Sequence, residues 1–186
     1  MSHSHGAPDQ HRAYAPTVVS CAVLTVSDSR TLSDDTSGKL IQELLAAGGH
    51  KAVEHTIVPD EREAIRSAVL RALARAEVDG VIVTGGTGVS PRDVTPEAVE
   101  PLFEKPLAGF GELFRSLSFQ EIGAAAMLSR ATAGTTGGKV VFVLPGSSGA
   151  VRLGMERLIV PELPHLVGQL RRKDHGPSAH KGHARK

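Results

Sequence analysis

The chain has 186 residues and a mass of 19.5 kDa, the size of one ordinary domain, with 40% apolar and 22% charged residues. That composition excludes a wholly disordered chain, and no apolar run reaches the ~18 residues a transmembrane helix needs. The 21 basic and 20 acidic residues nearly cancel, and one Tyr, five Phe and no Trp leave little for base stacking, so nucleic acid is not an expected partner.

In chain order, residues 1–16 contain His3, His5 and His11 but no apolar stretch of the kind a secretory signal carries. They read as a poorly ordered tail, as do the basic residues 172–186 with His175, His180 and His183. The folded domain is expected over 17–171. A lone Cys21 permits no intrachain disulfide and no cysteine-based metal site, which suits a reducing cytoplasm.

Val18 to Ser27 is apolar and β-branched, the profile of a strand buried on both faces. Leu40, Ile41, Leu44 and Leu45 fall at helical spacing and stop at Gly48-Gly49. His50 to Val58 reads as a second strand, ending before Pro59. Glu61 to Ala76 reads as a helix whose stripe is Ile65, Val69, Leu73 and Ala76. Val78 to Thr84 and Lys139 to Leu144 are further buried strands, the latter leading through PGSSG into a helix with Val151, Met155, Leu158 and Ile159. Strands alternating with helices predict a three-layer α/β/α sandwich with a mostly parallel sheet. The segment 85–135 interrupts the alternation with a glycine-rich loop and short helices, and is where function is to be sought.

Thr84 to Glu97, TGGTGVSPRDVTPE, follows a buried strand directly. Ligands of open α/β sheets bind at the carboxyl ends of strands, and Gly85, Gly86 and Gly88 let main-chain amides approach a phosphate. Thr84 and Thr87 offer hydroxyls, Arg92 a partner for an anion, and Asp93 a proton acceptor or cation ligand. A tight turn between strand and helix is the other reading. Neither a P-loop nor a dinucleotide fingerprint fits, since no Lys follows Gly88 and Pro91 stands where a third glycine would be. Leu144 to Gly149, LPGSSG, suits a second anion cradle with Ser147 and Ser148, or simple serine capping of the next helix. Two such loops at one sheet edge suit a ligand with two anionic parts. Asp60, in PDE after the second strand, either caps the next helix or pairs with Asp93 around Mg²⁺, which takes one or two carboxylates plus phosphate oxygens and water. The run 27–38, with Asp28, Asp34, Asp35 and Ser37, reads as turn and cap, or as part of the site. Phe110 and Phe114 are read as packing residues, Cys21 and Met127 as core, and Glu112 and Arg115 as able to touch a ligand or a neighbouring subunit.

The ordered motifs VLTVSDSR, DDTSGKLI, VPDE, TGGTGVSPRDVTPEA, GFGELFR, LSRATAG and LPGSSGAVR make the core, about Val18 to Leu170, resemble the MogA/MoaB family of molybdenum cofactor biosynthesis proteins. The run SFQEIGAAAMLSRATAG is closer to the MoaB branch. The resemblance implies a three-layer α/β fold, a homotrimer or homohexamer, and molybdopterin adenylyltransferase activity, a nucleotidyltransferase reaction of MgATP with molybdopterin. It implies that Thr84, Gly85, Gly86, Thr87, Gly88, Ser90 and Arg92, with Pro145, Gly146, Ser147 and Ser148, line the nucleotide and pterin site. Asp60 and Asp93 correspond to the acidic positions tied to activity and to Mg²⁺. Some MoaB-type members have these aspartates replaced and do not adenylylate; this chain keeps both. The alternative is a non-catalytic molybdopterin carrier or assembly protein of the same pathway, in contact with its other enzymes.

Overall fold

The computed structural model describes residues 15–172, so most of both tails read from the sequence lies outside the described residues. The elements are β1 (Ser20–Val26), α1 (Thr36–Ala47), β2 (Lys51–Val58), α2 (Arg62–Ala74), β3 (Gly80–Thr84), α3 (Thr95–Val99), β4 (Lys105–Pro106), α4 (Ala108–Ile122), β5 (Thr132–Thr136), β6 (Lys139–Leu144), α5 (Ser148–Gly154) and α6 (Val160–Leu170). One six-stranded sheet has the order β2-β1-β3-β6-β5-β4. β2, β1, β3 and β6 run parallel, while β5 is antiparallel to β6 and β4 to β5.

Alternation along the strands builds two cores. Val19, Cys21 and Val23 face one side of the sheet with Phe142 and Leu144, against α1, α4, α5 and α6. Ala22, Leu24 and Val26 face the other side, against Ile65, Ala68, Val69 and Ala72 of α2 and Ala98 and Val99 of α3. A strand buried on both faces needs no polar side, which is why these sequences read as continuous apolar runs. The three-layer α/β/α sandwich expected from the sequence is the observed fold.

The topology places the site. β1 lies between β2 and β3, so the chain leaves β1 in one direction and later returns to its other side. Crevices at such a reversal, outside the carboxyl ends of parallel strands, are where open α/β sheets hold ligands. In register, Thr25 pairs with Ile57 and with Thr84, and Thr84 pairs with Leu144. Residues that follow these four positions therefore emerge along one edge.

The sequence reading needs correction in three places. Segment 85–135 does not hold only short helices: α4 is 15 residues long, and β5 and β4 extend the sheet. Its glycines, Gly109 and Gly111, lower helix propensity, and packing of Phe114 overrides that. Met127 is not core but 78% exposed, on the 3-10 turn Gly123–Leu128. The buried stripe of α2 is Ile65, Ala68, Val69 and Ala72, because the helix ends at Ala74 and leaves Ala76 outside it. Phe110 does pack as expected, its ring centroid 5.2 Å from that of Phe142.

Candidate functional site

Four loops meet at the carboxyl edge: 27–35 after β1, 59–61 after β2, 85–94 after β3 and 145–147 after β6. Both glycine loops lean on each other. Gly85 N–H donates to Leu144 O at 3.1 Å, and the Thr84 hydroxyl donates to Pro145 O at 3.0 Å. Thr84 is thus fully buried and joins the loops instead of offering its hydroxyl to a ligand. Gly85 and Gly86 take φ of 102° and 62°, where side chains are strained, and a Cβ on Gly86 would strike both Thr95 Oγ1 and Asp60 Oδ1.

Between the loops lies a cavity of about 420 Å³. Gly85 to Gly88, Asp93, Pro145, Gly146 and Ser147 form its polar side. Phe114, Ile122, Ala125 and Leu128 form an apolar wall, with Ser118 and Ser129 between them. A polar main-chain cradle facing an apolar wall suits a ligand that combines a flat ring with anionic groups.

The turn 90–93 is closed on itself. Asp93 N–H donates to Ser90 O at 2.9 Å, and Asp93 Oδ2 accepts from Ser90 N–H at 3.0 Å. Ser90 therefore shapes the turn that presents Asp93. Arg92 points away from the cavity lining and forms an exposed pair with Asp28, Nη2 to Oδ2 2.6 Å and Nε to Oδ2 3.1 Å. The Arg92 bonds, with the Asp60 amide, hold the Asp28 carboxyl below its usual range.

Asp60 does not cap α2, as one reading of the sequence had it; Glu61 occupies the cap position and makes no side-chain cap bond. Asp60 N–H donates to Asp28 Oδ1 at 3.0 Å, while Asp60 Oδ1 is buried without a hydrogen-bond partner. Burial, then the charges of Asp28 and Asp93, push the Asp60 carboxyl above its usual range, and Arg92 opposes the shift. An orphaned, crowded carboxylate oxygen close to a second carboxylate is an oxygen-only donor set with excess negative charge, which fits a hard divalent cation. Among the described residues no group of three or more His, Cys, Asp or Glu side chains is arranged as a metal site. The pair suits a cation that brings phosphate and water as its remaining ligands.

Ser147 lines the cavity and caps α5, its Oγ accepting from Ala150 N–H at 3.3 Å. The capping reading of LPGSSG thus holds for Ser147, which also borders the cavity. Ser148 is exposed and begins the helix. Glu112 and Arg115 border a different hollow, with Glu97 and Arg130.

Residues 22–165 match the family model described as "Probable molybdopterin binding domain". The chain belongs to that family. It is 52% identical to Molybdenum cofactor biosynthesis protein B of Bacillus cereus over 165 residues, covering 88% of this chain and 98% of the relative. A crystal structure of a Molybdenum cofactor biosynthesis protein B shares 53% identity and a TM-score of 0.83, over 86% of this chain and 99% of that one. The tungsten cofactor synthesizing protein of Pyrococcus furiosus shares 41% identity and a TM-score of 0.77, over 85% of this chain and 100% of that one.

Within this family frame, the residue that sequence reasoning missed is Arg130. It reaches Thr87 O from Nε at 3.3 Å and Asp93 O from Nη2 at 2.7 Å, and its Nη1 pairs with Glu97. One guanidinium therefore ties the glycine loop, the Asp93 turn and α3 together. Its motif LSRATAG was visible, but nothing local indicates which distant carbonyls the arginine meets. The apolar wall on α4 was missed for the same reason, although the Phe110–Phe114 spacing hinted at a packed helix.

Proposed function

We propose that the chain acts in molybdenum cofactor biosynthesis by transferring AMP from MgATP to molybdopterin, giving adenylyl-molybdopterin and pyrophosphate. The observation that carries this reading is the convergence of two glycine loops and Asp93 on one cavity, with Asp60 Oδ1 packed against Gly86 of the first loop. Family membership and the relative named for cofactor biosynthesis support it.

A terminal phosphate oxygen of molybdopterin attacks the α-phosphorus of ATP, the bond from that phosphorus to the bridging oxygen breaks, and pyrophosphate leaves. Such a transfer is accelerated by positioning and by neutralising charge, with no covalent nucleophile required. Amides of Gly86 to Gly88 and of Ser147 donate to phosphate oxygens. Asp60 and Asp93 hold Mg²⁺, which when bound neutralises phosphate charge. Arg92, released from Asp28, steadies the leaving group from the rim. The apolar wall from Phe114 to Leu128 takes the ring system and excludes water from it.

A homo-oligomer belongs to the same reading. Leu113, Phe119, Ile122, Met127 and Leu128 are all more than half exposed along α4 and its following turn, an apolar surface of the kind that marks an interface. Light scattering would return a trimer or hexamer, and a monomer at micromolar concentration would remove that part.

The deciding experiment incubates the protein with molybdopterin, ATP and Mg²⁺ and follows adenylyl-molybdopterin and pyrophosphate. Product that disappears in Asp60→Ala and Asp93→Asn is the expected result. Tight pterin binding without product would replace the enzyme by a carrier.

A further inference from the structure

Asp35 is fully buried although Asp34 and Thr36 on either side are exposed. Its Oδ1 accepts from Gly38 N–H at 2.9 Å, capping α1. Its Oδ2 accepts from the Thr25 hydroxyl at 2.5 Å and faces His55 Nε2 at 2.8 Å. On the far side of the ring, Gln42 Nε2 stands 3.0 Å from His55 Nδ1 and 3.3 Å from Gly38 O. An amide nitrogen bonded to a carbonyl is a donor, so Nδ1 accepts and the ring proton sits on Nε2, directed at Asp35. A Cβ on Gly38 would collide with His55 Nε2, Asp35 Oδ2 and Thr25 Oγ1. Asp35 and Gly38 of the motif DDTSG are thereby both needed for one closed network.

That network fixes the first turn of α1, where Ser37 is buried and donates from Oγ to Gly146 O at 2.6 Å, across 109 positions of sequence. Three successive carbonyls, Leu144, Pro145 and Gly146, thus accept from donors outside their own loop: Gly85, Thr84 and Ser37. No peptide bond among the described residues is cis. In a trans peptide the N–H points opposite to the C=O, so binding of the Gly146 carbonyl by Ser37 turns the Ser147 N–H away from α1, and Ser147 itself lines the cavity.

We infer that Ser37 is a positioning residue: it sets the Gly146–Ser147 peptide so that the Ser147 amide meets an anionic group of the ligand, and the Thr25–Asp35–His55–Gln42 network holds Ser37 in place. This rests on the reading above that the cavity takes phosphate-bearing ligands, but not on catalysis.

The test uses the full chain and calorimetric titration with MgATP and, separately, molybdopterin. Ser37→Ala weakens at least one of the two about tenfold, the loss of one well-placed hydrogen bond to an anion, while its melting temperature stays near that of the parent. His55→Ala weakens the same ligand, His55→Gln, which keeps a donor toward Asp35, restores most of it, and the Ser37→Ala/His55→Ala double variant is no weaker than the weaker single. The Ser147 amide resonance moves in both single variants. Parent-like affinity for both ligands in Ser37→Ala overturns the inference, as do losses that multiply in the double variant. A parent chain that binds but forms no adenylyl product ends the catalytic proposal and leaves this one standing. Normal turnover with parent-like binding in Ser37→Ala does the reverse.

Discussion

The Arg130 guanidinium donates to the main-chain carbonyl of Asp93 at 2.7 Å, from 37 positions further along the chain. The carboxylate that faces the cavity is therefore held from behind by a side chain on the opposite side of its loop. The same guanidinium reaches Thr87 O, so the glycine loop and the aspartate turn move as one body. Rigid support of this kind keeps reacting groups within the small displacements that catalysis tolerates.

Arg130→Ala is expected to cost about 1–3 kcal/mol of stability, since two carbonyls and Glu97 lose their donor, and to lower turnover about 100-fold. Arg130→Lys restores only part of it, because a point charge cannot serve three acceptors in a fixed fork. Thermal unfolding and adenylylation rates read on the same preparations check both halves. A lysine variant with parent turnover would show that charge alone suffices.

Asp60 costs the fold stability at neutral pH. Its carboxyl pKa is raised, so the folded chain holds that proton more tightly than the unfolded chain does. Its contribution becomes unfavourable as pH rises from the unfolded value through the folded one. Asp60→Asn should melt higher than the parent near neutral pH, with the advantage vanishing below about pH 4, where both states are protonated. Turnover should drop by about 100-fold or more. Melting curves from acid to neutral pH, with an activity assay at the neutral end, decide it; lower stability than the parent at neutral pH would contradict the assignment.

Asp35 behaves in the opposite sense. Burial pushes its carboxyl up, but the Gly38 amide, the Thr25 hydroxyl and the His55 ring together bring it below its usual range. The stability it supplies is complete above the unfolded pKa and is lost as pH falls through the folded one. Asp35→Asn retains a helix cap but gives up charge-assisted bonds, so a deficit of about 1–3 kcal/mol at neutral pH is expected, narrowing below about pH 4. Denaturant midpoints measured across that range would show a constant deficit if the charge were irrelevant.

Gly86 and Gly49 separate two reasons for glycine. Both have positive φ, 62° and 79°, but a Cβ on Gly49 meets nothing within 4 Å while one on Gly86 strikes Thr95 Oγ1 and Asp60 Oδ1. Gly49→Ala should lose about 1 kcal/mol from backbone strain alone and keep full activity. Gly86→Ala should lose more and turn over at least tenfold more slowly, because it displaces a carboxylate of the site. Equal losses in the two variants would mean that strain, not contact, dominates at both.

Much of the parallel half of the sheet was readable without coordinates. β1, β3 and β6 are apolar on both faces, and a strand with no wet side declares itself by composition alone. The first glycine loop was readable because Gly85 and Gly86, at φ 102° and 62°, admit few other residues, and the second because its Pro-Gly-Ser-Ser-Gly run punctuates a strand and a helix. The antiparallel half was not readable. TAGTT of β5 has no strong strand pattern and is a strand because β6 pairs with it on one side and β4 on the other. Gly134 within it marks no turn; the Phe103 ring lies where a side chain would stand.

The sequence by itself determined the alternating architecture, the two glycine loops and the aspartates Asp60 and Asp93, because period, composition and φ preference are local properties. Only the tertiary structure decided how these parts are held. Asp35 with His55, Arg130 with Asp93 and Ser37 with Gly146 are partners 20, 37 and 109 positions apart. Local periodicity carries no record of which distant group will satisfy a hydrogen bond; that is settled when the strands pair in register and bring their loops to one edge.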